Sequence, residues 1–168
     1  MKIIIISLFI TFIVFKNNTL FANEKIAFID LNYILKESVQ GKKILDELNS
    51  INSKNLEKFR AEELELNKQQ DEIQKLKNII SLEEYNKKLS SFQNKVDIYK
   101  EKKTKIISSF EETKDNELRI FFNKLNEIMN VYMQNKSINI ILDKKNIIMA
   151  NTQNDISKQI LNIVNQNE

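Results

Sequence analysis

The chain has 168 residues, with 26 Lys and Arg against 23 Asp and Glu, a single glycine, and no histidine, cysteine, proline or tryptophan. That inventory excludes a Ser–His triad, a thiol nucleophile, the usual zinc sites, disulfides and a glycine-rich phosphate loop. Carboxylate groups such as Glu62, Glu63 and Glu65, or Asp71 and Glu72, are what solvated helix faces ordinarily carry, so no catalytic residue, cofactor or metal is expected and the protein does not read as an enzyme.

Residues 1–22 stand apart. Lys2 gives a short positive start, residues 3–15 form an apolar run, and Leu20-Phe21-Ala22 ends on a small residue. This is the layout of a secretory signal peptide cleaved after Ala22. The run falls short of the roughly 20 apolar residues of a membrane-spanning helix. Without Lys2 and Lys16 the mature chain, residues 23–168, keeps 24 basic residues against 23 acids. A balance so close to neutral gives no reason to expect nucleic acid as a partner.

The mature chain opens on Ile26-Ala27-Phe28-Ile29, short, apolar and closed by Asp30, which fits a buried strand. Residues 31–36 suit a helical turn. Ser38 is placed to cap a first long helix, with Gly41, the only glycine of the chain, where another backbone must pack closely. That helix runs to about residue 78. Ile44, Leu48 and Ile51 begin its apolar stripe, and Phe59, Leu66, Ile73 and Ile80 continue it every seven residues. Glu62, Glu63, Gln69 and Gln70 interrupt the seam, so it is narrow.

Ser81-Leu82-Glu83-Glu84 reads as a capping box, with Ile80 and Tyr85 placed for a hydrophobic staple across it. It ends one helix and starts the next with neither Gly nor Pro. The second helix carries Tyr85, Leu89, Phe92, Val96, Tyr99, Ile106 and Phe110 in steps of four and three, with Lys103 in one seam position. After Phe110 a stutter through Lys114 leads to Leu118, Phe121, Leu125, Ile128 and Tyr132, and relaxes left-handed supercoiling locally. Folding the chain near residue 80 sets acid-rich residues 57–72 against lysine-rich residues 89–104. It also sets Lys42, Lys43 and Lys54 against Glu111, Glu112, Asp115 and Glu117. Antiparallel pairing follows.

Ile138-Asn139-Ile140-Ile141-Leu142 is a second strand, Asp143-Lys144-Lys145-Asn146 a polar turn and Ile147-Ile148-Met149-Ala150 a third strand, which together predict a hairpin. Asn154 or Asp155 then caps a last helix with Ile156, Ile160, Leu161 and Val164 on one face. The fold class is α+β, mostly α: a long antiparallel helical hairpin, residues 42–133, projecting from a small body made of residues 23–41 and 134–168. The strands look too few for a private core and leave open edges. Copies are therefore expected to pool them in a shared β hub.

Two stretches resemble a known family. Lys25-Ile26-Ala27-Phe28-Ile29-Asp30 followed by Glu37-Ser38-Val39-Gln40-Gly41-Lys42-Lys43 is similar to the opening signature of the Skp/OmpH family of periplasmic chaperones. Ile140-Ile141-Leu142-Asp143, the apolar residues 147–150 and Asp155-Ile156-Ser157 are similar to its closing signature, and the capped turn lies where that family turns at its arm tips. The near-neutral charge departs from the basic bodies or tips common there. The resemblance implies a homotrimer with a central β-barrel and three helical arms. It implies a periplasmic holdase that takes unfolded outer-membrane proteins into the cavity between the arms and prevents their aggregation without ATP. The alternative is an envelope structural or adaptor hairpin protein without chaperone activity.

On that reading Ile26, Phe28, Ile140, Leu142, Ile147 and Met149 form the assembly core. Leu66, Ile73, Leu76, Ile79, Leu82, Tyr85, Leu89 and Phe92 are the candidates for client contact, each with plain interhelical packing as its competing role. Lys87, Lys88, Lys95, Lys100, Lys102 and Lys103 are candidates for weak contact with anionic lipid or acidic clients, against the competing role of pairing with the facing acids.

Overall fold

A computed structural model describes residues 24–167; the expected leader lies outside them. The elements are β1 (Ile26–Ile29), α1 (Leu31–Glu37), α2 (Val39–Leu76), α3 (Leu82–Lys136), β2 (Ile140–Asp143) and α4 (Ser157–Gln166). Two short 3-10 turns, Lys144–Asn146 and Thr152–Asn154, precede α4. Helices α2 and α3 pair as the long arm, and the other elements gather at its base. With 55 residues α3 is about 80 Å long at 1.5 Å per residue.

The start of the arm is fixed by small polar side chains. Asp30 caps α1 by accepting from the Tyr33 N–H at 2.9 Å. Ser38 closes α1 and opens α2. Its N–H donates to the Ile34 carbonyl at 2.9 Å, and its Oγ accepts from the Gly41 N–H at 3.1 Å, with the residue wholly buried. The close backbone approach expected at Gly41 is there: a Cβ would stand 1.9 Å from the Leu35 carbonyl oxygen. At the tip, Ser81 Oγ accepts from the Glu84 N–H at 3.2 Å, as a capping box requires. The far end of α3 closes on Ser137 in the left-handed conformation (φ 51°), which lets the Ile138 N–H reach back to the Met133 carbonyl at 3.0 Å. Lys25 Nζ donates to the Lys136 carbonyl there at 3.0 Å, a cation on the negative end of the longest helix.

β1 and β2 are parallel, with Ile26 opposite Ile140 and Phe28 opposite Leu142. Parallel neighbours need a long crossover, and here the crossover is the entire arm. The other flank of β1 is taken by a bridge between Phe28 and Asp155, where the Ile156 N–H donates to the Phe28 carbonyl at 3.0 Å. This corrects the expected hairpin. Residues 147–150 are not a strand in the single chain. Asp143 accepts from the Lys145 N–H and turns the chain into a 3-10 turn, which leaves Ile147 half-buried and Ile148 and Met149 exposed. The start of α4 is corrected as well. Its cap position is Ile156, which makes no side-chain capping bond, while Asp155 accepts from the N–H and the Oγ of Ser157 at 3.0 and 2.5 Å. Ser157 Oγ in turn accepts from the Asp30 N–H at 2.8 Å, so α4 is bolted to the end of β1.

A single copy does possess an interior, contrary to expectation. Ala27 and Ile29 of β1 meet Ile34, Ile44, Leu48, Phe121, Leu125, Ile138, Ile156, Ile160 and Val164 in one cluster. The strands supply only one face of it. α1, α4 and the roots of both arm helices supply the rest, and that contribution is what strand-counting missed.

Gly41→Ala tests how tightly this corner is built. The helix preference of alanine over glycine is worth about 1 kcal/mol, but the overlap with Leu35 must displace α1. The variant is expected to lose about 1–3 kcal/mol of stability, measured by urea denaturation followed by circular dichroism. An equal or higher stability would refute the close packing.

Candidate client-binding and assembly surfaces

The alternation of a strand divides the small sheet into two faces. Ala27, Ile29 and Ile141 face the core. Ile26, Phe28, Ile140 and Leu142, four of the six assembly candidates, share the other face. There Ile26, Ile140 and Leu142 remain 40–43% exposed and Phe28 is covered to 7%. Beside β2 lies a cleft of 680 Å³ lined by Ile29, Leu31, Met129, Met133 and Ile141 among others, with Asn126, Asn130 and Asn139 at its polar points. No strand occupies the outer edge of β2 among the described residues. The two remaining candidates, Ile147 and Met149, lie on the loop beyond, and Met149 is 90% exposed.

Along the arm the candidates separate by position. Ile79 and Leu82 stand on the tip, 74% and 76% exposed, and Leu89 is half exposed. Leu66, Ile73, Leu76, Tyr85 and Phe92 are half-buried in the seam between α2 and α3. From Arg60 to Ile120 no side chain is fully buried. Sequence reasoning missed Leu64, Ile98 and Ile107, apolar and exposed on the same arm. The available signal was that each falls outside the four-and-three pattern of the seam. On a two-helix arm an off-seam apolar residue has nothing to cover it.

The lysines also separate. Lys102 pairs with Glu62 at 2.5 Å and Lys103 with Glu63 at 2.7 Å across the arm. Lys95 donates to Gln69 Oε1 at 2.9 Å, and Lys100 lies 3.7 Å from Asp97 on its own helix. Lys87 and Lys88, near the tip, make no such contact. The register expected for residues 57–72 against 89–104 therefore holds. The lower set does not pair as expected: Lys42 turns to Glu37 and Glu111 to Lys114, and no ion pair joins the two helices there among the described residues.

One polar node interrupts the seam. Glu63 Oε1 accepts from Lys103 Nζ at 2.7 Å and from the Tyr99 hydroxyl at 2.6 Å. Lys103 Nζ also lies 5.2 Å from the centre of the Phe59 ring and 5.7 Å from that of Tyr99, within reach of cation–π attraction. The bond from Lys103, then that from Tyr99, holds the Glu63 carboxyl below its ordinary value. The bond to Glu63 holds the Lys103 ammonium above its own. Burial and then the bond to Glu63 push the Tyr99 hydroxyl up.

The family profile described as "Outer membrane protein (OmpH-like)" matches residues 25–164. The chain belongs to this OmpH-like family. A search of curated protein sequences returned no match. Among solved structures, an OmpH-like protein from Caulobacter crescentus CB15, described as a candidate outer membrane chaperone, superposes with a TM-score of 0.73 at 17% identity. The superposition covers 85% of each chain. At that identity the likeness establishes the fold, a small body carrying a long helical arm.

The shifted Glu63 fixes the sign of a pH effect. A carboxyl whose folded value is lowered contributes stability above its unfolded value, near 4.5, and loses it as pH falls through the folded value. Wild type is therefore expected to be more stable than Glu63→Gln from about pH 5 upward, with the difference closing in stronger acid. Paired urea titrations across that range check this, and a difference that stays constant or grows as the pH falls below 4.5 would contradict it.

Proposed function

We propose that this protein is an ATP-independent holdase of the periplasm, exported by a cleaved N-terminal signal. In this reading it shields unfolded outer-membrane proteins between helical arms and so prevents their aggregation. Family membership supports a chaperone role and a periplasmic site of action. The observation that carries the finer reading is the arm itself: a long hairpin with no fully buried side chain from Arg60 to Ile120 and with Ile79 and Leu82 uncovered at its tip. Such an arm offers many shallow apolar contacts beside charged groups and no enclosed pocket. An unfolded barrel strand, with exposed apolar side chains and unpaired backbone, is held by many weak contacts at once, and multivalency supplies the affinity. Contact with anionic lipid falls to Lys87 and Lys88 in this reading, because Lys95, Lys100, Lys102 and Lys103 are engaged within the arm.

Enclosing a client needs more than one arm, and the outer sheet face supports self-association. Ile26, Ile140 and Leu142 are 40–43% exposed, so covering what remains is worth less than half of the about 1.5–3 kcal/mol that a complete burial of such a side chain gives. The open edge of β2 and the apolar residues 147–150 are complementary elements for pairing between copies. We assign the assembly as a homotrimer on the family resemblance.

Two experiments test this reading. Diluting a denatured outer-membrane protein into buffer with the mature protein and no nucleotide is expected to suppress light scattering. Ile79→Asp/Leu82→Asp should suppress it several-fold less well at equal helicity, and a double variant as effective as wild type would remove the tip from client binding. Separately, Ile140→Asp changes a side chain that is exposed in the single chain. It should shift the mass in multi-angle light scattering from trimer to monomer while helicity is kept, and a variant that stays trimeric would remove this face from the hub.

A further inference from the structure

The arm's two helices are joined very unevenly. At the base, Ile44 and Leu48 of α2 and Phe121 and Leu125 of α3 are buried in the core. At the tip, the capped turn closes the hairpin covalently. Between these ends one side chain alone is buried among the described residues, Phe59 at 7% exposure. What covers it is the polar node: Lys103 lies over its ring, held by Glu63, which Tyr99 also contacts. The neighbouring Lys102–Glu62 bridge adds a second cross-arm bond one residue along each helix.

On either side of the node the seam is open. Toward the base lies a groove of 320 Å³ beside Asn52, Asn55, Leu56, Ile107 and Phe110. Toward the tip lies one of 440 Å³ beside Leu66, Asn67, Gln70, Phe92 and Val96. The flanking seam residues are only half-buried, and the cross-arm bond on the tip side, from Lys95 to Gln69, is exposed. A lysine in a seam position gives up apolar burial and gains a definite register. It also makes the joint depend on charge, and partly exposed charges weaken with ionic strength.

We propose that Phe59, Glu63, Tyr99 and Lys103 form a releasable clasp, the one joint built over a buried side chain between the base core and the tip turn of the arm. With the clasp closed, the seam residues are half-buried against each other. With it open, the helices bow apart and present Leu66, Phe92 and Val96 on the inside of the bow, while the base stays assembled. The device changes the apolar area the arm exposes without any change in the body. It is a property of the free arm and stands independently of the holdase reading.

The absence of cysteine allows clean labelling. Spin labels at Asn67→Cys and Asn94→Cys report the seam beyond the clasp. Labels at Asn49→Cys and Asn116→Cys report the base, all four positions being exposed. Labelled chains are diluted into excess unlabelled protein, so that only distances within one chain are read. Wild type should give a single short distance for both pairs at low salt. Lys103→Glu sets two carboxylates against each other and should add a longer population to the 67/94 pair, with 49/116 unchanged. The charge swap Glu63→Lys/Lys103→Glu should restore the short distance. An unchanged 67/94 distance in Lys103→Glu, an equal opening at 49/116, or a swap as open as the single variant would each overturn the proposal. Should Lys103→Glu fail to fold, wild type titrated from about 0.05 to 0.5 M NaCl reads the same device: growth of the long 67/94 population supports it, and a distribution indifferent to salt overturns it.

Discussion

A hairpin of two helices can bury at most the one stripe each helix turns toward the other, and this chain spends nearly two thirds of its described length on such a hairpin. The arm therefore cannot supply its own stability. It is held from below, where α1 and α4 close over the roots of α2 and α3 and the parallel pair β1–β2 ties the two ends of the crossover together. That arrangement explains why so many polar details cluster within the body. Asp30, Ser38, Asp155 and Ser157 each satisfy a backbone donor at a corner where a helix meets β1 or another helix. Burial pushes the Asp155 carboxyl up, but its bonds from Ser157 and Lys144 outweigh that and hold it below its ordinary value. The corner is thus stabilised by the charged form.

The same body carries the signs of an unfinished structure. β1 is apolar on both faces, as a strand covered from both sides is, yet only Ala27 and Ile29 have found cover in the core, and of the other face Phe28 alone is covered within one chain. Ile148 and Met149 stand in solvent between two capped turns, with the ends of the loop drawn together by Lys144 and Asp155 at 3.2 Å. Sheet edge, sheet face and loop are all consistent with a hub completed by further copies. The private core is large enough to fold the base and too one-sided to cover the sheet.

How much of this could be read from the sequence depended on the range of each signal. Ser38, Gly41 and the Ser81 box act within four residues, and each is legible because the cap or the close approach is local. The stripes of both long helices are legible because period and length agree. The hairpin of residues 138–150 failed for the opposite reason. A turn such as Asp143-Lys144-Lys145-Asn146 serves a hairpin or a 3-10 turn equally, and the partner that β2 does take, β1, lies more than a hundred residues away, beyond the reach of local pattern. The clasp was half legible. Lys103 and Glu63 stand out as seam interruptions, but their meeting with Tyr99 over Phe59 depends on a cross-arm register fixed to within a residue. Charge windows sixteen residues wide do not resolve that.

If the protein is the nucleotide-free holdase proposed above, it must release what it holds by thermal means alone, and this limits how good any one contact can be. Tight interhelical packing would leave no apolar surface to offer. A deep pocket would hold a client too long, since every 1.4 kcal/mol slows dissociation about tenfold. A seam of half-buried side chains, with Ile79 and Leu82 bare at the tip, sits between those limits. On the holdase reading proposed above, each contact would be worth a fraction of a full burial, and their number would be set by how much client lay between the arms. The cost is an arm that needs some other joint to remain a hairpin. A charge-based clasp meets that need with less apolar burial than a core residue would take. On this view the polar interruptions of the seam are the condition for an arm that is both loosely packed and correctly paired.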